Sequence, residues 1–246
     1  MTHAICVHDA TRRQRSRSAI DFAGGWLSCA KSVTIAWLIA LASSSLSDAG
    51  ELTVTLADRA GQPLAEAVGT LVPVKPKSVA PVLDQSRPVM DQQHLAFVPQ
   101  VLVVAVGTQV EFPNNDSVSH QVYSFSPAKR FQLPLYKGVL HPPVLFDTAG
   151  LVVLGCNIHD QMVGYIYVTD APFYGKTDSQ GVLHLTKLPA GDYVLTVWSP
   201  FIADAPATLT RPVNVGEHDP ASLRLQLSRD LRARPEPRPR RADWEY

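Results

Sequence analysis

The chain has 246 residues, of which 46% are hydrophobic and 18% charged, and that balance excludes a disordered polyelectrolyte. Lys and Arg total 22, as do Asp and Glu, so no net field recommends a nucleic acid as partner. Twenty prolines and fourteen glycines interrupt the sequence too often for long helices and favour short strands joined by turns.

The first fifty residues have the order of an export signal. Arg12, Arg13, Arg15, Arg17 and Lys31 precede the apolar run Val33 to Ala42, and the small residues SSSLSDAG follow. The run is about half of the roughly 20 residues that span a bilayer, so the expectation is a cleaved signal over 1–49 with no membrane span in the mature protein. Ser47-Asp48-Ala49 offers a small-x-small cleavage site. The pair Arg12-Arg13 stands far ahead of the apolar run, which disfavours twin-arginine export. The expected location is the periplasm.

Of three cysteines, Cys6 and Cys29 fall within the signal, and Cys156 alone remains. Exported proteins usually pair their cysteines. A leftover thiol forms a dimer, sits inert in a core, or ligates a metal.

Along the mature chain, residues 51–72 read as an alternating strand, a turn at Ala60-Gly61-Gln62-Pro63, and a second strand. Residues 73–88 carry four prolines and read as a linker or crossing loop. From Leu95 the pattern is dense β, with a turn at Gly107-Thr108. Leu151 to Val168 gives two strands flanking a tight loop. Residues 177–198 give a strand, the turn Pro189-Ala190-Gly191-Asp192 and a strand, with Val182, Leu185, Leu188, Tyr193, Leu195 and Val197 expected on the buried face. The tail from Arg229 holds six arginines, three prolines and four acids and reads as disordered. No stretch shows a convincing 3.6-residue period, so the expected class is all-β.

The sharpest motif is Cys156-Asn157-Ile158-His159-Asp160-Gln161-Met162, a C-x2-H-x2-M loop between two apolar strands. Upstream, His120 stands at a predicted strand end. A thiolate, two imidazoles and a thioether form a soft mixed donor set that selects copper: His2Cys with a long axial Met is the blue-copper arrangement. His120 must come from a neighbouring strand to complete it. Strand-pinned ligands rearrange little between oxidation states, which suits electron transfer.

The segment FDTAGLVVLGCNIHDQMVGYIYV resembles the C-terminal half of a cupredoxin, with the loop spacing of amicyanin, and VGTQVEFPNNDSVSH resembles the stretch that ends in the first histidine ligand. The resemblance covers about residues 94–170. It implies a Greek-key β-sandwich or barrel over 85–170, one type-1 copper held by His120, Cys156 and His159 with Met162 axial, and electron transfer rather than enzyme catalysis. It implies transient docking to a periplasmic dehydrogenase or cytochrome. The chain as a whole is similar to bacterial proteins labelled methylamine utilization proteins. Two departures stand out: Gln121 replaces the Asn frequent after the first ligand, and YSFSPAKRFQLPLYKG has no clear counterpart.

TDSQGVLHLTKLPAGDYVLTVWSP resembles a hairpin of a carboxypeptidase-regulatory or transthyretin-like sandwich, and residues 50–76 resemble its first strands. The implied organisation is a smaller discontinuous β-sandwich (50–76 and 171–228) into which the cupredoxin unit is inserted, followed by the tail 229–246.

Other residues carry less. His94, expected to open a strand, and His141 are expected at the surface; His184 is expected to be exposed and His218 lies in a loop. Asp116 and Asp160 have no partnered nucleophile and are assigned to loop capping and the local field. Tyr123, Phe125, Phe131 and Tyr136 either cover the core or form a docking patch. No Ser-His-Asp set, phosphate cradle or CxxC pair appears. The alternatives to an electron carrier are copper capture or delivery without redox cycling, and a β-sandwich binding protein that holds no metal.

Overall fold

The computed structural model describes residues 50–75, 87–138, 141–202, 208–217, 220–228 and 231–232. The expected signal, residues 76–86 of the proline-rich connection, His218 and most of the tail lie outside these residues. Among the described residues there are strands and no helix, and no helix is long and apolar enough to cross a membrane.

In chain order the first strands are β1 (Gly50–Ala57), β2 (Val68–Pro73), β3 (Asp91–Gln93), β4 (Ala96–Val98), β5 (Val101–Ala105) and β6 (Thr108–Val110). Next come β7 (His120–Ser126), β8 (Lys129–Tyr136), β9 (Val144–Phe146), β10 (Gly150–Gly155) and β11 (Val163–Thr169). The last are β12 (Phe173–Lys176), β13 (Val182–Leu188), β14 (Gly191–Trp198), β15 (Thr208–Val215) and β16 (Ala221–Gln226).

Two sets of sheets share out these strands. Strands from both ends of the described chain pair with one another: β13-β1-β16 form one sheet and β12-β2-β14-β15 another. Strand β1 shows why, since Leu52, Val54 and Leu56 are buried while Glu51, Thr53 and Thr55 are more exposed, the period-2 pattern of a sheet covered on one face. Those residues join Leu71, Leu183, Leu188, Tyr193, Leu195 and Val197 in one apolar cluster. Pro212 sits in β15 at the sheet edge, where a missing N–H breaks no ladder bond.

The strands between form their own sheet, β5-β11-β10-β7-β8, with the pairs β3-β4 and β6-β9 beside it. Their core holds Met90, Phe97, Phe112, Val122, Tyr136, Phe146, Leu154, Cys156, Met162 and Ile166. The segment after His120 that lacked a counterpart is the β7–β8 hairpin, and Pro134 again lies in an edge strand.

A third, smaller cluster joins the two sets: Val68 and Trp198 meet Val101, with Val103, Leu151, Tyr165 and Tyr167 packed around them. The Trp198 ring lies 6.0 Å from that of Tyr165 and 5.4 Å from that of Tyr167. Lys176 Nζ donates to Glu66 Oε1 at 2.8 Å and to the Val101 carbonyl at 2.7 Å.

Several local expectations need correction. On β13 the buried face is Leu183, Leu185 and Leu188, with Val182 only partly covered. The odd spacing comes from a β-bulge: Gly50 faces Leu188 while Leu52 faces Leu185, and Lys187 takes φ 59°, which returns Leu188 to the core. His94 does not open a strand but lies in the tight β3–β4 turn, where His94 and Leu95 have φ 53° and 60°. The tail is not free throughout: Leu231 bridges to Ile202 and the Arg232 N–H donates to the Phe201 carbonyl at 2.6 Å. Leu231 packs against the larger apolar cluster, which gives these two residues a reason to dock.

Candidate metal centre

The motif loop 156–162 connects β10 to β11, adjacent antiparallel strands paired from Gly150↔Val168 to Gly155↔Val163. Gly155, the last residue of β10, faces Tyr123 of β7, and its missing side chain makes room for that ring: a Cβ there would sit 2.7 Å from the Tyr123 ring, which would have to shift. Met162 N–H donates to the His159 carbonyl at 2.9 Å, closing the loop into a turn. His120 opens β7, the other neighbour of β10. Sheet order alone therefore carries His120 to the loop.

Cys156, His120 and His159 converge. Each offers a ligand atom lying within 4.8 Å of the other two, with Cys156 and His120 buried and His159 partly exposed. His120 Nδ1 stands 3.9 Å from Cys156 Sγ, and the two imidazole rings are 5.0 Å apart at 66°. Met162 is buried in the same cluster as Cys156. The structure thus brings together three of the four expected ligands and places the fourth in the same loop and core.

The surroundings favour a thiolate. Burial raises the Cys156 pKa, but a hydrogen bond with His120 and backbone N–H groups of Gln121, Ile158 and His159 outweigh it and bring the thiol from 9.0 down to about 6. For His120, burial works downward, yet the bonds to Cys156 and Asp116 leave its pKa raised. Asp116 is opposed by burial too, but bonds from Leu95, His120 and Ser117 lower it to about 2. Without a metal, the buried pair is biased toward thiolate and imidazolium.

One atom tests whether a metal suits this site. Nδ1 of His159 is buried and has no hydrogen-bond partner among the described residues. Buried polar atoms are rarely left so, and an imidazole nitrogen beside a thiolate and a second imidazole is a donor ready for a soft cation. The residues fit.

Gln121, where Asn was expected, keeps the loop tied to β7 by another route: Asn157 Nδ2 donates to its side-chain oxygen at 2.7 Å. Asp116 does cap its loop, accepting the Ser117 N–H at 2.6 Å, and also bonds His120 Nε2 at 3.0 Å. That second contact escaped the sequence reading, because nothing in a D-x3-H spacing outside a helix says the two side chains meet. Asp160 is exposed. With Tyr123, Phe125 and Val153 it lines a groove of about 460 Å³ beside Cys156.

The remaining histidines divide. His94 and His184 are exposed, and His184 Nδ1 meets Thr53 Oγ1 at 3.2 Å. His141 departs from expectation: it is only partly exposed, its ring packs edge-on to Tyr136 at 4.7 Å, and its Nε2 is buried. The aromatic group also divides. Tyr136 is core, Phe131 packs 5.5 Å from Phe112, and Phe125 is 72% exposed.

No family model matches the chain, and no curated protein matches it. Among solved structures, a purple cupredoxin from Nitrosopumilus maritimus is similar over 35% of this chain and 100% of its own, at 23% identity and TM-score 0.30. A reduced-state amicyanin mutant is similar over 41% of this chain and 99% of its own, at 21% identity and TM-score 0.31. A second amicyanin mutant, in its reduced Cu(I) form at pH 4, covers 41% of this chain and 98% of its own at 25% identity and TM-score 0.31.

Proposed function

We propose that this protein is an exported, periplasmic electron carrier of the blue-copper kind, not an enzyme. In this reading His120, Cys156 and His159 hold one copper ion, with the Met162 thioether as a weak fourth donor. The observation that carries it is the convergence of one thiolate-prone sulfur and two imidazoles within 4.8 Å, with the buried His159 Nδ1 left unpartnered.

When bound, copper supplies a one-electron couple. The chain's own contribution is to keep the donors still: His120 and Cys156 sit at the ends of paired strands, buried, while His159 keeps a partly exposed edge through which an electron passes. A reduced protein partner supplies that electron and an oxidised one removes it, a periplasmic dehydrogenase or cytochrome by class. Among the described residues of the sandwich proposed for 50–76 and 171–228 there is no clustered metal-ligand set, and its role in this reading is to dock or stiffen the copper-bearing unit at 85–170.

Voltammetry of the copper-loaded protein tests the reading. A reversible one-electron couple that disappears in Cys156→Ala supports it. Tight Cu(I) binding with no reversible couple would indicate copper capture and delivery instead, and no retained copper would leave a β-sandwich without a metal.

A further inference from the structure

We propose that Asp116 is the positioning residue of this centre: its carboxylate fixes the His120 proton on Nε2, presents Nδ1 to the metal, and biases bound copper toward Cu(II) over Cu(I). This rests on the copper reading above and adds a residue outside the ligand set.

The geometry is built rather than incidental. Asp116 Oδ2 lies 3.0 Å from His120 Nε2, with side-chain exposures of 3% and 0%. A carboxylate only accepts, and a neutral imidazole carries one N–H. In the neutral ring that can ligate a metal, the proton therefore sits on Nε2, and Nδ1, 3.9 Å from Cys156 Sγ, is the nitrogen left to bind.

The carboxylate cannot swing away. Its Oδ2 also accepts the Leu95 N–H at 2.7 Å, and its Oδ1 accepts the Ser117 N–H at 2.6 Å and the Ser117 hydroxyl at 3.3 Å. Its own N–H donates to Asn114 Oδ1 at 3.0 Å. Asn114 is in turn anchored through Nδ2 to the Tyr136 carbonyl at 2.7 Å and the Val118 carbonyl at 3.0 Å. Leu95 reaches Asp116 from a turn whose two central residues, His94 and Leu95, both have positive φ. Such a turn normally calls for Asn or Gly. The strained turn and the histidine are thus held by the same oxygen.

The charge sum gives the direction. A Cys156 thiolate and an Asp116 carboxylate together neutralise a divalent ion, whereas a monovalent ion leaves one net negative charge in a buried site, which is disfavoured. The carboxylate also makes His120 a more basic donor. Lys137, the nearby cation, bonds the Ser117 carbonyl at 2.7 Å but is exposed, so solvent screens it.

The test uses the full chain and compares wild type with Asp116→Asn, which keeps an acceptor and removes the charge. Competition titrations should show Cu(II) affinity falling about 10- to 100-fold, with a much smaller change for Cu(I). The reduction potential should rise by about 59 mV for each tenfold change in that ratio. Equal losses for both ions, or an unchanged potential, would overturn the proposal. Should Asp116→Asn not fold, nitrogen-15 NMR of wild type loaded with Cu(I) decides: a proton on His120 Nε2 supports it and one on Nδ1 overturns it. Wild type that takes up no copper removes the underlying reading and this inference with it. A loaded wild type with an indifferent variant removes this inference alone.

Discussion

Asn157 Nδ2 donates to Gln121 Oε1 at 2.7 Å across 36 residues of sequence, so the residue after the thiol is tied to the residue after the first histidine. Each partner is the chain neighbour of a proposed ligand. The bond acts as a strap holding the loop against β7, while the Gln121 backbone N–H helps to lower the thiol pKa.

Cutting the strap should loosen the loop without dismantling the site. Gln121→Ala removes one exposed side-chain hydrogen bond, worth about 0.5–1.5 kcal/mol, and leaves the backbone N–H in place. Copper should leave the variant several times faster than wild type, with the same optical spectrum. Stopped-flow transfer to a chelator measures this.

Gly164 on β11 is the point where the sheet meets Phe97. A Cβ there would approach Phe97 Cβ, Cγ and Cδ2 at 2.9 Å, and Phe97 is 2% exposed. Gly164→Ala should cost about 1–3 kcal/mol by overpacking, read as a lower urea midpoint with an unchanged slope.

Trp198 is 7% exposed and fills the cluster joining the two sets of sheets. Trp198→Ala should destabilise by about 3–5 kcal/mol. Cys156 and Met162 lie in a different cluster, so the copper spectrum of the variant that remains folded should match wild type.

Asp91 gives a pH signature outside the ligand set. Burial pushes its pKa up, but bonds from Asn115, Gln93 and Gln92 prevail and hold it below 3.8. A lowered carboxyl contributes stability above the unfolded value, and that contribution is lost as pH falls through the folded value. Asp91→Asn places an NH₂ against the Asn115 and Gln93 donors. It should cost about 1–3 kcal/mol at pH 7. The gap between variant and wild type should narrow as pH drops below 3.8, measured by denaturation across pH.

What the sequence disclosed follows from what local pattern encodes. Alternation gave β1 and β14, dense apolar runs gave β5, β10 and β11, and the loop from Cys156 to Met162 was visible because its residues are contiguous. His120 was reachable because its strand had to neighbour β10. Short strands such as β3, β9 and β12 have too few residues to show a period. The bulge at Lys187 hid the true inward face of β13, since alternation assumes an unbroken pleat. The contact between Asp116 and His120 depends on a fold of the loop 113–119 that hydrogen bonds from Asn114 dictate, and no residue spacing reports it.

The most direct measurement of the central claim is the visible absorption spectrum of the full chain on adding one equivalent of Cu(II), beside that of Cys156→Ala. The account predicts an intense band toward the red end of the spectrum from charge transfer out of the Cys156 thiolate, absent in the variant. A copper-loaded wild type without that band, or a band that survives in Cys156→Ala, would contradict it.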